Sequence, residues 1–283
     1  MEIKNISVIG AGIMGSGIAQ VSAVAGYDVI LQDISLEALH RAKKNIENSL
    51  DKLKGKGQLS EEDMRSALSR IRYAHELKDA CGDADLIIEA IFEDLQIKQN
   101  IIKEITGMCR PDAIIGSNTS ALPITEVASV TKHGANIIGI HFMNPVPLMR
   151  GVEIIRGQLT SDETVRATLD YVQRIHKVPI QAVDYAGFIV TRLLDVLMNE
   201  AVKLVEEGNK PEDIDMAMKL CAGHPMGPCT LLDLVGAEIA MHGMETMARD
   251  FGEKYKPHPL LKSGCLLGSW EGKPSVVFMN IRI

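Results

Sequence analysis

The sequence predicts a two-part α/β chain: a doubly wound sheet domain over residues 1–184, then an all-helical domain over residues 185–283. Three observations lead there. Short β-branched runs alternate with helical stretches through the first half, the pattern of buried parallel strands joined by crossover helices. A glycine-rich turn joins the first of these runs to the first helical stretch. Past about Val183 the strand signals stop, and apolar residues recur only at helical spacing.

Taken in order, "NISVIGAG" reads as a strand and turn, "SGIAQVSAVAGY" as a helix and "DVILQDI" as the next strand. A long amphipathic helix follows from Leu36 to about Leu53. "ADLIIEAIF", "AIIGSN" and "NIIGIHF" are further short apolar strands, separated by helical segments such as "LQIKQNIIKEITGMC". The two parts join near "VPIQAVDYAG". Beyond it, Ile189, Val190, Leu193, Leu194, Leu197, Ala201, Leu204 and Val205 fall on one helical stripe that Gly208 ends. "KPEDIDMAMKL" begins another helix with Pro211 in its first turn, and "TLLDLVGAEIAMHGMETMARDF" reads as a third.

Composition excludes several function classes. The 283 residues, 46% hydrophobic and 24% charged, suffice for one large core or two smaller ones. A net charge of −7 argues against a nucleic-acid partner. Cys81, Cys109, Cys221, Cys229 and Cys265 are scattered and form no CxxC pair. Such a set predicts reduced thiols in a cytosolic protein, with neither a disulfide framework nor a zinc site. No apolar run approaches the ~18 residues of a membrane span, and "MEIKNISVIG" runs straight into a strand without a leader. The expectation is a soluble, cytoplasmic protein with no membrane partner and no metal.

"SVIGAGIMGSG" supplies Gly10, Gly12 and Gly15 as G-x-G-x-x-G between a strand and a helix. The first glycine permits the tight turn and the second lets backbone approach a pyrophosphate. The third allows close helix–strand packing, and the helix N-terminus favours the anion. Asp33 ends the next strand, 18 residues beyond Gly15. A carboxylate there binds a ribose 2′-hydroxyl and repels a 2′-phosphate, which favours NAD over NADP. FAD uses the same fingerprint, usually in larger chains, and a ligand-free glycine turn is the bland alternative.

In "GIHFMNPVPLMRGVEII", His141 follows an apolar strand and faces a proline-broken loop. Its unperturbed pKa of about 6.5 makes both protonation states accessible near neutrality. Glu153 lies 12 residues on, after the turn Asn144-Pro145-Val146-Pro147. A returning strand would set its carboxylate beside the imidazole, fixing the tautomer and stabilising the charged ring. A packed structural histidine is the alternative. A metal site is weaker, since no second histidine stands at ligand spacing. "RAKKNIENSLDKLKGKGQ" concentrates Lys44, Lys52, Lys54 and Lys56 at the end of the long helix. It is either a solvated face or a cradle for anionic phosphates.

The glycine motif, "SNTS" at 117–120, "HFMNPVP", "GVEIIRG", "GFIVTRLL" and "HPMGP" together resemble the 3-hydroxyacyl-CoA dehydrogenases, especially the short bacterial 3-hydroxybutyryl-CoA dehydrogenases. The resemblance runs from residue 3 to about residue 268. It implies a Rossmann-type NAD domain carrying a helical hairpin, and a helical domain through which relatives form homodimers. It also implies interconversion of (S)-3-hydroxybutyryl-CoA and acetoacetyl-CoA, a reaction of fatty acid and butanoate metabolism. His141 would be the general acid/base, Glu153 its orienting partner, and Ser120 a hydrogen-bond partner of the substrate 3-oxygen. On sequence alone Ser120 reads equally as a hydroxyl capping the next helix. Glu93, Lys98, Ile13, Met14, Ser120 and Asn144 join Gly10, Gly12, Gly15 and Asp33 at cofactor-binding positions. Ser49, Lys52 and Lys56 fall at CoA-binding positions.

The chain departs from the family at three places. Thr191, assigned to catalysis and substrate binding, stands where the family usually has Asn, so one hydroxyl replaces a donor and an acceptor. Gly223 stands where Asn is common, beside His224, read as a turn residue. The chain ends "GSWEGKPSVVFMNIRI", unlike the family's lysine- and aromatic-containing tail. Two other readings remain open. A β-hydroxyacid dehydrogenase would carry a catalytic lysine in the linking helix, where "AGFIVTRLL" has Arg192. The other is a non-catalytic, cofactor-binding homologue.

Overall fold

The structure is a computed structural model and describes residues 2–261. Cys265 and the atypical tail lie outside the described residues. The chain divides into two compact units, one ending at Asp184 and the next beginning at Tyr185.

The first unit runs β1 (Asn5–Ile9), α1 (Ile13–Val24), β2 (Asp28–Gln32), α2 (Leu36–Gly55), α3 (Glu61–Arg70), β3 (Ile71–Ala74), α4 (Leu77–Cys81) and β4 (Leu86–Glu89). It continues with α5 (Leu95–Met108), β5 (Ile114–Ser117), α6 (Ile124–Ala128), β6 (Ile137–Phe142), β7 (Gly151–Arg156), α7 (Asp162–Arg174) and β8 (Val178–Val183). The strands form one sheet in the order β3-β2-β1-β4-β5-β6-β7-β8. Every neighbouring pair is parallel except β6 and β7. β4 and β5 are buried along their whole length, as continuous apolar runs covered on both faces must be. The order leaves β1 outward through β2 to β3 and resumes at β4 on the other side. That reversal opens a crevice at the strands' C-terminal ends, where ligands bind in such sheets.

The α2 helix forms because Ser35 accepts from Ala38 N at its start, and because Leu39, Ala42, Ile46 and Leu50 repeat every three or four residues. That stripe is buried in the main core with Ile18, Val29 and Leu31, so the lysine-bearing face points outward. Ser60 caps α3 in the same way, above an acidic first turn.

Among the described residues the second unit has α8 (Val190–Glu206), α9 (Pro211–Cys221), α10 (Pro228–Val235) and α11 (Ala237–Phe251) as its α-helices. The segment read as one third helix is two. Gly236 sits at φ +92 between α10 and α11, a conformation that ends a helix and that glycine adopts without penalty. Met198, Val202, Leu232, Met244 and Met247 pack as the unit's own core. The "HPMGP" turn has a structural cause: Asp215 on α9 accepts from Cys229 N at 2.8 Å and Thr230 N at 3.0 Å. It thereby caps α10, whose N-cap position is the side-chain-less Gly227. Gly223 has φ +71, a left-handed position that Gly and Asn fill best, which accounts for their exchange here.

Candidate active site

The β6–β7 hairpin carries the candidate pair. His141 and Glu153 are direct cross-strand partners, and His141 Nδ1 lies 2.7 Å from Glu153 Oε2. Both are buried, at 6% and 1% exposure. A carboxylate can only accept, so Nδ1 carries the hydrogen and Nε2 is the nitrogen not engaged by Glu153. The expectation placed His141 just past a strand end, whereas it is the penultimate residue of β6. Parallel pairing with β5 stops at Gly139, while antiparallel pairing with β7 continues to Phe142. His141 therefore stands beyond the sheet on its β5 side while β7 still holds it rigid.

On that β5 side the vacated ladder is filled by the "SNTS" segment. Asn118 Oδ1 accepts from Phe142 N at 2.9 Å, tying the end of β5 to the residue after His141. Glu93 Oε1 accepts from Thr119 Oγ1, from Ser120 N at 2.8 Å, from Ser120 Oγ at 3.2 Å and from Ala121 N at 3.0 Å. Ser120 does not cap α6. Asp184 does, accepting from Ile124 N at 2.6 Å and Thr125 N at 2.8 Å.

Beneath this loop is a buried ionic cluster. Lys98 is fully enclosed, with Nζ 2.6 Å from Glu89 Oε1 and 3.4 Å from Glu93 Oε2. Glu89 also accepts from Ser117 Oγ at 2.7 Å and Ile91 N at 2.8 Å. Burial opposes ionisation of Glu93, but the Lys98 charge and the donors from Thr119, Ser120 and Ala121 outweigh it and hold the carboxyl below the usual range. Burial likewise opposes a charged Lys98, and Glu89 and Glu93 reverse that, raising its pKa. Lys98 thus acts on the site through Glu93, whose side chain is 28% exposed.

The glycine turn lies beside the β4 end. A Cβ on Gly10 would meet Ala90 O at 2.6 Å, and one on Gly15 would meet Gly10 O at 1.8 Å. Above Gly12 nothing lies within 4 Å, and no side chain caps α1 there. Open space over a helix start without a side-chain cap fits a pyrophosphate. Asp33 borders it, with Oδ2 accepting from Ala11 N at 2.7 Å and Oδ1 from Ser35 N at 2.8 Å. Ile13 is exposed, Met14 half-buried and Asn144 exposed, ahead of a cis bond to Pro145.

The lysine patch is divided by α3. Lys54 pairs with Asp51 and Glu61. Ser49, Lys52 and Lys56 instead line a cavity of about 180 Å³, with Leu53 and, from the loop after His141, Pro145, Pro147 and Leu148. Thr191 is the second residue of α8 and belongs to the other unit. Among the described residues no group of His, Cys, Asp and Glu could hold a metal, and no helix is long and apolar enough to cross a membrane.

A family model described as "3-hydroxyacyl-CoA dehydrogenase, NAD binding domain" matches residues 5–185, and the family's C-terminal domain matches residues 187–280. The chain belongs to the 3-hydroxyacyl-CoA dehydrogenase family. Its first domain is that family's NAD-binding domain, so NAD is the cofactor. A probable 3-hydroxybutyryl-CoA dehydrogenase of Deinococcus radiodurans is 46% identical over 90% of this chain and 92% of its own. A 3-hydroxybutyryl-CoA dehydrogenase of Bradyrhizobium diazoefficiens is 42% identical over 92% and 89%. The crystal structure of (S)-3-hydroxybutyryl-CoA dehydrogenase from Ralstonia eutropha matches with a TM-score of 0.88 at 40% identity, covering 94% of this chain and 95% of that one.

In this 3-hydroxyacyl-CoA dehydrogenase family member, Arg192 is structural. Its guanidinium lies 4.1 Å from the Phe251 ring centroid, and Nε donates to Tyr255 Oη at 3.1 Å. Sequence reasoning gave no contact to Asn118 in the "SNTS" motif or to Pro145 and Pro147 in the turn, and it missed Glu89 and Leu148. Glu89 had a usable signal, an acid ending a buried apolar run in "LIIE" with Lys98 nine residues on. The loop prolines marked the turn but not a cavity wall.

Proposed function

We propose that this protein interconverts (S)-3-hydroxybutyryl-CoA and acetoacetyl-CoA with NAD, His141 moving the proton. The observation that carries the reading is the buried His141–Glu153 pair at the sheet's C-terminal edge, in a chain of this family. NAD, held by the glycine turn and Asp33, would supply hydride transfer at C3. His141 Nε2 takes the hydroxyl proton in oxidation and returns it in reduction. Glu153 holds Nδ1 and stabilises the charged ring. Ser120 Oγ, whose one hydrogen lies toward Glu93 Oε1 at 3.2 Å, turns it to the 3-oxygen as negative charge develops there, and Thr191 offers a second hydroxyl.

Cofactor contacts fall to Gly10, Gly12, Ile13, Met14, Gly15, Asp33, Glu93, Ser120 and Asn144, with Lys98 behind Glu93. Ser49, Lys52 and Lys56 bind the CoA portion, the ammonium groups meeting its phosphates as point charges. The names of the relatives support a four-carbon acyl chain. The protein works as a cytoplasmic homodimer joined through the helical unit, where Leu193, Leu220, Leu234 and Ile239 are each more than half exposed. The test is NADH consumption with acetoacetyl-CoA, extended over C4 to C16 substrates with His141→Gln beside the wild type. Turnover highest at C4 is expected. NADH binding without turnover would overturn the reading.

A further inference from the structure

Lys177 precedes β8 and is 8% exposed. Its ammonium has two partners among the described residues, both backbone carbonyls: Val146 O and Met149 O, each at 2.6 Å. Burial lowers its pKa, with no carboxylate acting against that. A buried cation held only by carbonyls is costly, so what those carbonyls hold in place is informative.

They belong to the loop between His141 and Glu153. Two prolines leave this loop short of backbone donors, and Leu148 N and Met149 N both turn back to Pro145 O at 3.0 Å. That single turn aims the Val146 and Met149 carbonyls inward, where they would be unsatisfied without Lys177. From the other side the Val146 side chain packs on α1, with its Cβ 2.7 Å from where a Gly17 Cβ would be. The loop is therefore pinned twice. Its outward face supplies Pro145, Pro147 and Leu148 to the cavity whose opposite wall holds Ser49, Lys52 and Lys56.

We propose that Lys177 is a positioning residue for acyl-CoA binding: by fastening two carbonyls it sets the proline-bearing wall of the CoA cavity. The proposal rests on reading that cavity as the CoA site. Lys177 touches neither substrate nor cofactor, and its ammonium acts on the wall rather than on the proton chemistry at His141.

The full chain carrying Lys177→Met is compared with wild type in three measurements. With acetoacetyl-CoA, KM rises about tenfold or more while kcat stays within about threefold. With the N-acetylcysteamine thioester of acetoacetate, which lacks the nucleotide, the two proteins have equal KM. Calorimetric titration with CoA alone, which needs no turnover, shows the same weakening, while NADH affinity measured by fluorescence is unchanged. Lys177→Arg, which keeps charge and donors, restores most of the CoA affinity, and Leu148→Ala in the wall itself reproduces the KM pattern. An equal penalty on the truncated thioester, or a loss in kcat at constant KM, overturns the proposal. Should Lys177→Met fail to fold, an unchanged KM in Leu148→Ala overturns it instead. Wild type that binds CoA but does not turn over acetoacetyl-CoA would sink the proposed reaction and leave the Lys177 titration readable.

Discussion

His141 and Glu153 meet as a cross-strand pair 2.7 Å apart at the one antiparallel junction of the sheet. Backbone register makes the two residues neighbours, and burial at 1% exposure restricts where the carboxylate can turn. Replacing His141 by Gln removes the proposed proton carrier and should lower turnover by about 10²- to 10⁴-fold. Glu153→Gln keeps an oxygen that can accept from Nδ1 but loses the negative charge that stabilises the protonated ring, and should lower turnover as well. Because the two act as one unit, the double variant should be no slower than His141→Gln alone. Steady-state kcat for the four proteins checks this, and multiplying losses would mean that Glu153 works independently.

This hairpin was legible in the sequence because its parts are local: an apolar strand, a proline turn and a returning strand. The βαβ alternation and the Gly10–Asp33 fingerprint were legible for the same reason. The Gly236 break was not, since an isolated glycine inside a helical pattern is tolerated and marks no boundary by itself. β8 was passed over as a joint, because Pro179 in "VPIQAV" demotes a strand and only an edge position accommodates it. The burial of Lys98 and Lys177 was not legible, for burial of a lysine is decided by partners that the local sequence does not show. The same holds for Lys54, which pairs with Glu61 on α3 as well as with nearby Asp51, while Lys52 and Lys56 line the cavity.

The buried cluster gives a stability prediction. Lys98→Met would leave Glu89, at 0% exposure, without its ammonium. Removing one partner of a buried pair destabilises by about 3–5 kcal/mol, which in a domain of this size lowers Tm by roughly 10 °C. The Ser120 loop, held by Glu93, should loosen with it. Thermal unfolding followed by circular dichroism tests the first point, and a Tm within a degree or two of wild type would contradict it.

Asp33 predicts cofactor preference. Its carboxylate, oriented by Ala11 N and Ser35 N, repels a 2′-phosphate and accepts from a 2′-hydroxyl. Wild type should favour NADH over NADPH in kcat/KM by about 10²-fold or more, and Asp33→Ser should narrow the ratio by at least about tenfold. NADH activity should also fall, since the variant loses the two bonds that brace the turn. Equal use of both cofactors by wild type would remove Asp33 from this role.

Asp195 on α8 predicts how stability varies with pH. It is 4% exposed, its Oδ2 has no hydrogen-bond partner among the described residues, and burial pushes its pKa up to about 8. In the unfolded chain the same group titrates near 3.9. Between those values the folded protein keeps a proton that the unfolded chain has released, so this group's contribution to stability falls as pH rises and levels off above about 8. Asp195→Asn has nearly the same shape and cannot ionise, so it lacks that slope. From pH 5 to pH 8 the variant should gain about 4 kcal/mol relative to wild type, at about 1.4 kcal/mol per pH unit. Chemical denaturation of both proteins at pH 5, 6.5 and 8 measures the difference directly. Parallel stability profiles would mean that the carboxyl is ionised throughout, and that a partner for it exists in the assembled protein.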